Sequence, residues 1–323
     1  MKKKVILITA LFAALVTGCR KENEDVLPAQ TSPAENLARP GNANECRMVF
    51  AGRDNSYGYF FRYNEQGFVS EWKVDFYDGY PDYYTFQYDH SKRLKSGHVL
   101  YSVSGHEYDI KYQYQGSRLV RETWYKTGTT DIADDIVNTY NWRGQIAKRK
   151  SMTYNIYADF AYNWQGNNVK TDLYVDNNLY LREEFTFNRP NRNPFTSLTG
   201  MPLVPFYYDF IFSNWWQTSE KYTLFDNGTP TVVMDLDPNS VVMNIGQQHY
   251  LNSVTNFDLI GQQNTSAVFQ FENCPGCNTN KPGFNSETTH SRANVSARIR
   301  QLLTPCRGSN LKSELKKLIE KAK

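Results

Sequence analysis

Apolar and polar residues alternate along most of the chain, and this pattern predicts β-strands. In residues 157–187, three alternating segments are separated by turns at residues 164–167 and 176–178. The Gly and Asn residues of these turns tolerate the positive φ angles that tight hairpins require. Because consecutive hairpins with short connections form an antiparallel meander, we expect this arrangement over the central part of the chain.

An aromatic-x-Tyr motif followed by a polar turn recurs through the same region. Its second aromatic residues are Tyr63, Tyr88, Tyr114, Tyr140, Tyr162 and Phe187, which follow one another at nearly regular intervals. A unit of this length holds two strands and two turns, and one hairpin cannot bury its apolar face without a neighbour. The sequence therefore predicts an all-β fold, an extended antiparallel β-meander of about 25-residue double-strand repeats in a curved or partly closed sheet, with a short α-helical C-terminal tail.

Residues 1–18 have the organisation of a lipoprotein signal peptide. Three lysines precede an apolar run over residues 5–16, which is too short to span a bilayer. Residues 16–19, Val-Thr-Gly-Cys, resemble the lipobox of bacterial lipoproteins, in which the cysteine becomes the new N-terminus and carries lipid such as palmitate. We predict lipidation at Cys19 and anchoring to the outer membrane. The alternative is a soluble exported protein that is cut near Gly18.

The rest of the chain divides into a tether, a body and a tail. Residues 19–45 contain several prolines and few large apolar side chains, which predicts a flexible tether. Its charged start, residues 20–25, is either a signal for the outer face of the membrane or a solvated linker. Residues 46–274 form the predicted β-meander domain, in which an aromatic, partly helical crossover segment, residues 189–220, interrupts the repeats. Further strands are predicted at residues 221–225, 232–236, 241–244 and 268–272.

The predicted tail, residues 275–323, contains two amphipathic helices and a cysteine, and it is basic. The signal peptide holds three of the 36 Lys and Arg and none of the 33 Asp and Glu, which leaves 33 of each. Residues 281–323 carry ten basic and three acidic side chains, net +7, so residues 19–280 carry net −7. The tail can therefore attract the acidic body or an anionic surface.

Four cysteines remain after Cys19, and an even number in an exported chain indicates disulfides. Three pairings are possible; we favour Cys46 with Cys274, which ties the two ends of the sheet, and then Cys277 with Cys306. Two alternatives stay open. Cys274, Cys277, His290 and Cys306 have the residue types of a zinc site, and the Cys-Pro-Gly-Cys sequence has the spacing of a redox pair.

These motifs resemble the YD-repeat, or Rhs-like, pattern, and more closely a family of uncharacterised bacterial lipoproteins with a β-meander. The matching features are the lipobox and, over residues 46–274, Cys46, the aromatic-x-Tyr turns, residues 193–195 and residues 269–274. Among the recurring aromatic-x-Tyr motifs, the YD dipeptide itself occurs only at Tyr88–Asp89. The resemblance implies a curved antiparallel sheet and a cell-envelope location, and it implies no chemistry.

Candidate chemical groups are few. The sequence has no G-x-S-x-G, no H-E-x-x-H and no phosphate-binding glycine loop. Glu183 and Glu184 point to opposite faces of a strand, and Asp131, Asp134 and Asp135 are predicted to lie in a loop. His98, His106 and Glu107 are interpreted as surface residues of a hairpin, with a shallow metal site as the alternative. We expect no catalytic residue, no metal and no cofactor.

The candidate ligand-binding residues are Tyr207, Tyr208, Trp215 and Trp216. Exposed aromatic rings stack on sugars or anchor a protein partner, although large aromatic residues also fill cores. The resulting hypothesis is a non-enzymatic cell-envelope lipoprotein that binds a glycan or an envelope protein and no nucleic acid. The alternatives are a structural or assembly subunit that docks a partner through its tail helices, and a glycan-active hydrolase.

Overall fold

The computed structural model describes residues 46–53, 57–75, 80–187, 191–198, 213–245, 250–260, 262–274, 313 and 315–317. These residues belong to one compact unit, Ser32–Lys323. The predictions for the signal peptide, Cys19 and the tether fall outside the described residues. The same is true of those for Tyr207, Tyr208, Cys277, His290 and Cys306.

Within the described residues, seventeen strands form one antiparallel sheet, which confirms the all-β meander. They are β1 Arg47–Arg53, β2 Tyr57–Tyr63, β3 Val69–Asp75, β4 Asp82–Tyr88, β5 Leu94–Tyr101, β6 His106–Gln115, β7 Arg118–Lys126, β8 Ile132–Tyr140, β9 Ile146–Ser151, β10 Ile156–Tyr162, β11 Asn168–Val175, β12 Asn178–Thr186, β13 Ser219–Asp226, β14 Thr229–Asp235, β15 Val242–Ile245, β16 Leu251–Asp258 and β17 Gln263–Glu272.

Each strand from β1 to β13 pairs with the next one along the chain, and β15, β16 and β17 pair with one another in the same order. β17 then pairs with β1, with Arg47 opposite Glu272, so the first and last strands are neighbours. No ladder among the described strands joins β14 to β15, and the sheet is not closed. An isolated bridge between Leu236 and Asp258 connects the end of β14 to β16.

A disulfide joins Cys46, just before β1, to Cys274, just after β17, which confirms the favoured pairing. Their Cα atoms lie 4.3 Å apart, and Tyr250 and Phe271 pack against the bond. Cys274 is therefore unavailable as a zinc ligand or as half of a Cys-x-x-Cys redox pair.

One face of the sheet is buried, and aromatic rings dominate it between β2 and β7. Tyr59, Trp72, Tyr84, Tyr101, Tyr108 and Trp124 form a continuous series in which neighbouring ring centroids are 5.6 to 6.3 Å apart. The planes are tilted or perpendicular, the arrangement that the ring quadrupole favours. Each such pair contributes about 0.5–1.5 kcal/mol beyond the area that it buries.

Charged groups are also buried on this face, in matched pairs. Arg149 on β9 and Glu122 on β7 are both 0 % exposed and form two hydrogen bonds of 2.5 and 2.8 Å. The same guanidinium donates to Oδ1 of Asn138 on β8 at 3.1 Å. A buried pair of this kind recovers its desolvation cost only when its hydrogen bonds are well placed. It therefore favours one register for three adjacent strands.

The loop predicted around Asp131, Asp134 and Asp135 is wrong for the last two residues, which are buried on β8. Asp135 accepts from Nε of Arg121 on β7 at 2.7 Å, and Asp134 accepts from the hydroxyl of Ser151 on β9 at 2.6 Å. Aspartate has a low strand propensity, but these partners on both neighbouring strands offset it.

The repeat tyrosines connect successive hairpins. A β-bulge occurs at each of them from Tyr63 to Tyr162. The hydroxyls of Tyr88, Tyr140 and Tyr162 donate to the backbone carbonyls of Val69, Leu119 and Ile146 at 2.6, 2.8 and 2.9 Å. Each acceptor is the residue that pairs with the repeat tyrosine of the preceding hairpin, namely Tyr63, Tyr114 and Tyr140, respectively. The aromatic-x-Tyr motif therefore recurs once per repeat because its tyrosine forms a hydrogen bond to the preceding repeat.

The C-terminal tail contributes to the same core. Residues 313 and 315–317 are helical, and Leu315 is 0 % exposed within the hydrophobic cluster that the strands form. Ser313 and Lys316 are exposed. The tail-helix alternative requires Leu315 to contact a docking partner. Because Leu315 is buried in the core, it is not available for that contact. No helix within the described ranges is long and apolar enough to cross a membrane.

We expect Leu315→Ala to lower the free energy of unfolding by about 2–5 kcal/mol, because it leaves a cavity among packed strands. Lys316→Ala, next to it and exposed, is the matched control and should change stability by less than about 0.5 kcal/mol. Denaturant unfolding followed by circular dichroism measures both. Equal stability of the Leu315→Ala variant and the unmodified protein would show that the tail does not belong to the core.

We also expect stability to fall above pH 10, because burial raises the pKa of the repeat tyrosines. The pKa of Tyr140 rises to about 12, and the pKa values of Tyr63, Tyr88 and Tyr114 are also raised. A phenol that keeps its proton more tightly in the folded state stabilises the fold fully below pH 10. This contribution is lost as the pH rises from 10 through 12.

Tyr140→Phe tests this contribution, since phenylalanine cannot ionise. It should cost about 0.5–1.5 kcal/mol at pH 8 through the lost hydrogen bond. Its stability should then fall less steeply than that of the unmodified protein between pH 9 and 11. Parallel declines for the two proteins in denaturant titrations would contradict the assignment.

Candidate functional site

A repeated turn shapes one end of the sheet. In the turn between β8 and β9, the side-chain oxygen of Asn141 accepts from the backbone N–H groups of Arg143 and Gln145 at 2.9 and 3.0 Å. The backbone N–H of Gly144 donates to the carbonyl of Asn141 at 3.0 Å, and Gly144 has φ of 78°. The side chain thus takes the place of a backbone acceptor, as in an Asx-turn.

The same turn recurs in three other connections of the meander, β2–β3, β4–β5 and β10–β11. Asn163 accepts from the N–H groups of Gln165 and Asn167, both at 3.0 Å, and Asn64 and Asp89 act alike in earlier repeats. Because successive connections of an antiparallel meander alternate between its two ends, these turns all lie at one end. We call the turns that begin at Asn64, Asp89, Asn141 and Asn163 the Asx rim.

Two tryptophans project from adjacent turns of the Asx rim. Trp142 follows Asn141 and is 85 % exposed, and Trp164 follows Asn163 and is 80 % exposed. Both rings therefore present most of their surface to water. The strands that carry the two turns are consecutive, so the turns are separated by two strand spacings, about 10 Å.

Hydrogen bonds between the two turns fix their relative position. Nη1 of Arg143 donates to the carbonyl of Trp164 at 3.1 Å, and Nε2 of Gln145 donates to the carbonyl of Gly166 at 3.3 Å. The guanidinium of Arg143 also lies over the ring of Trp142, 4.7 Å from its centroid. The tryptophans are thus held on a braced backbone although their rings are exposed.

The crossover segment extends the rim beyond Asn163. Nδ2 of Asn214 donates to the carbonyl of Gln165 at 3.2 Å, and the N–H of Trp215 donates to Oδ1 of Asn167 at 2.9 Å. A short 3-10 helix, Pro194–Ser197, packs beside this segment and is capped by Asn193. The sequence Asn-Trp therefore occurs in three successive positions along this end of the sheet.

The two tryptophans predicted to bind a ligand, Trp215 and Trp216, are more buried than the exposed pair. Trp216 is partly buried, its ring stacked 6.4 Å from Phe195 and in edge contact with Phe269 at 4.9 Å. Trp215 is half-buried, and its Nε1 has no hydrogen-bond partner among the described residues. Trp216 thus serves packing, and Trp215 lies at the end of the rim. Sequence analysis missed Trp142 and Trp164; the Asn-Trp repeat at residues 141, 163 and 214 was the available signal.

The other candidate groups form no reaction centre. Glu183 is buried and Glu184 is exposed on the opposite face, as predicted. Nδ1 of His98 lies 3.0 Å from Asp109, and its Nε2 lies 3.7 Å from Glu107, whereas His106 lies at the start of β6, opposite Tyr101. No group of three His, Cys, Asp or Glu within the described ranges has the geometry to hold a metal ion.

No family model and no curated protein matches the chain. Among solved structures, a porin-like protein from Bacteroides uniformis aligns with 10% identity over 70% of this chain and 96% of that chain, at a TM-score of 0.41. A porin-like protein from Bacteroides vulgatus aligns with 8% identity over 69% of this chain and 98% of that chain, at a TM-score of 0.33. The Tc holotoxin pore of Photorhabdus luminescens aligns with 10% identity over 61% of this chain and 12% of that chain, at a TM-score of 0.18.

At such low TM-scores, these likenesses carry no argument about function. The predicted relation to YD-repeat lipoproteins stays a prediction.

Collisional quenching tests the exposure of the two tryptophans directly. Iodide should quench a large fraction of the intrinsic fluorescence, and Trp142→Phe with Trp164→Phe should remove most of that fraction, because Trp72 and Trp124 are buried. Trp216→Phe is the control and should leave the quenchable fraction largely unchanged. A double variant that is quenched as strongly as the unmodified protein would contradict the placement.

Proposed function

We propose that this protein is a non-enzymatic, lipid-anchored module of the cell envelope that binds a glycan along the Asx rim. One observation carries the proposal: Trp142 and Trp164 are 85 % and 80 % exposed on adjacent turns of a sheet that buries its other tryptophans wholly or in part. Lipidation at Cys19 and location at the outer membrane belong to the proposal and derive from the signal peptide and lipobox sequence.

The chemistry of the exposed rings favours a sugar. An indole ring offers a flat apolar face that packs against the C–H face of a pyranose, and its exposed edge stays compatible with water. Two such faces about 10 Å apart match alternate residues of an extended sugar chain better than a single small ligand. Because the turns are braced by Arg143 and Gln145, little ordering entropy is lost on binding.

The alternatives have less support from the described residues. Leu315 is buried in the core, which removes one of the residues on which a tail-helix docking surface depends. For hydrolysis, a carboxylate must reach a substrate, yet Glu122 is paired with Arg149 in the core and Glu220 accepts from the hydroxyl of Tyr222. A protein partner that uses the tryptophans as interface anchors is the remaining alternative.

Calorimetric titration of the purified protein with a panel of soluble polysaccharides tests the proposal. We expect saturable binding to at least one polymer. Trp142→Ala and Trp164→Ala should each weaken that binding about tenfold or more, as the loss of a stacking anchor does. The matched control is Tyr80→Ala, which removes another exposed aromatic ring, 61 % exposed, from the connection between β3 and β4 at the opposite end of the sheet.

The control and the variants must show the same circular dichroism as the unmodified protein. Absence of binding to every polymer by folded protein would refute glycan binding. Capture of an envelope protein that depends on Trp142 and Trp164 would then support the alternative.

A further inference from the structure

Arginines recur, with the period of the repeat, at the end of the sheet that carries the Asx rim. Arg93, Arg118 and Arg143 are evenly spaced along the chain, and each lies over an aromatic ring of the same end of the sheet. The ring centroids of Tyr114, Tyr140 and Trp142 are 5.0, 5.4 and 4.7 Å from the three guanidinium carbons, respectively. The three cations therefore form a row that runs across the strands.

The three arginines differ in whether a carboxylate neutralises their charge. Arg93 is paired with Asp89 at 2.9 Å. Arg118 and Arg143 have no ion pair with any carboxylate in the part of the chain that the structure describes, and both are exposed. The guanidinium of Arg118 lies beside Gly144, in the turn that carries Trp142 and Arg143. Two unneutralised cations thus flank the first of the two exposed tryptophans.

We infer that the Asx rim selects an acidic polysaccharide, one whose sugar residues carry carboxylate or sulfate groups along an extended chain. This inference rests on the proposed glycan binding. The tryptophans contact the apolar faces of the sugars. Arg118 and Arg143 bind the acidic substituents through bidentate hydrogen bonds, in which two N–H groups of one guanidinium donate to two oxygens of one oxyanion.

The stacked arrangement of the arginines suits this role. A guanidinium that lies over an aromatic ring is restrained in position, while N–H groups that are not used within the protein stay free for a ligand. Arg143 uses one N–H for the carbonyl of Trp164, and four others remain available among its five donors. Because the groups follow one line across the strands, a linear polymer fits them better than a compact anion.

The ligand class is tested with polymers that differ only in charge. Polygalacturonate and alginate are each compared with their carboxyl-reduced neutral forms, and chondroitin sulfate with its desulfated form, by calorimetry on the purified protein. At least one acidic polymer should bind about tenfold more tightly than its neutral form, and its affinity should fall with added salt.

Arg118→Gln should weaken binding of the acidic polymer about tenfold and change binding of the neutral form less than twofold. Arg143→Gln should weaken binding of both forms, and of the acidic polymer more, because Arg143 also braces the turn that carries Trp164. Arg62→Gln is the matched control, since Arg62 is exposed on β2 and paired with Glu71 at 3.1 Å. It should change neither affinity.

The outcomes distinguish the preference for acidic polymers from the proposed glycan binding. Equal affinity for acidic and neutral forms, with binding still lost in Trp142→Ala, overturns the acidic preference and leaves glycan binding intact. No binding to any polymer overturns both. Binding only to vesicles that contain phosphatidylglycerol, lost in Arg118→Gln and Arg143→Gln, would identify an anionic membrane surface and also overturn the inference.

Discussion

The hydrogen bonds from Tyr88, Tyr140 and Tyr162 to carbonyls of the preceding hairpins are the constraint on which the sheet depends. Short turns bring neighbouring strands together, but they do not fix one hairpin against the next at the rim. The bulges at Tyr88, Tyr140 and Tyr162 place each hydroxyl where it reaches that carbonyl. Because this hydrogen bond joins one repeat to the next, it restricts the number of residues in each repeat. The turns of the Asx rim are therefore regularly separated.

A core built from tyrosine, tryptophan and paired charges differs from an aliphatic one in what determines its register. Aliphatic residues of similar size tolerate a shift, whereas a buried charge does not, because an unpaired ion in the core is costly. Arg149 has partners on β7 and β8, so slippage of any of these three strands leaves Glu122 or the guanidinium unsatisfied. The repeats resemble one another, and such pairs distinguish one strand from the next.

Local patterns predicted the sheet because its determinants are local. Alternation, the repeat period and the Asn and Gly of the turns each act within one hairpin, and Cys46 and Cys274 lie at the ends of the pattern. Asp134 and Asp135 were assigned to a loop because adjacent aspartates disfavour a strand unless partners on the neighbouring strands, here Ser151 and Arg121, satisfy them. β16 was not predicted because its alternation is weak. The burial of Leu315 depends on packing against strands far away in the chain. The exposure of Trp142 and Trp164 likewise required the fold, since periodicity assigns residues to faces of strands and not to the outside of turns.

The placement of these two tryptophans also argues for a role outside the fold. An aromatic residue that stabilises a hairpin does so by covering apolar surface, as Trp216 does against Phe195 and Phe269. Trp142 and Trp164 cover little, and Asn141 and Asn163 form their turns through backbone N–H groups that any following residue supplies. The turns therefore do not require tryptophan at these positions. Since exposed indole rings increase the tendency to associate, their presence on two adjacent, braced turns is best explained by a ligand that covers them.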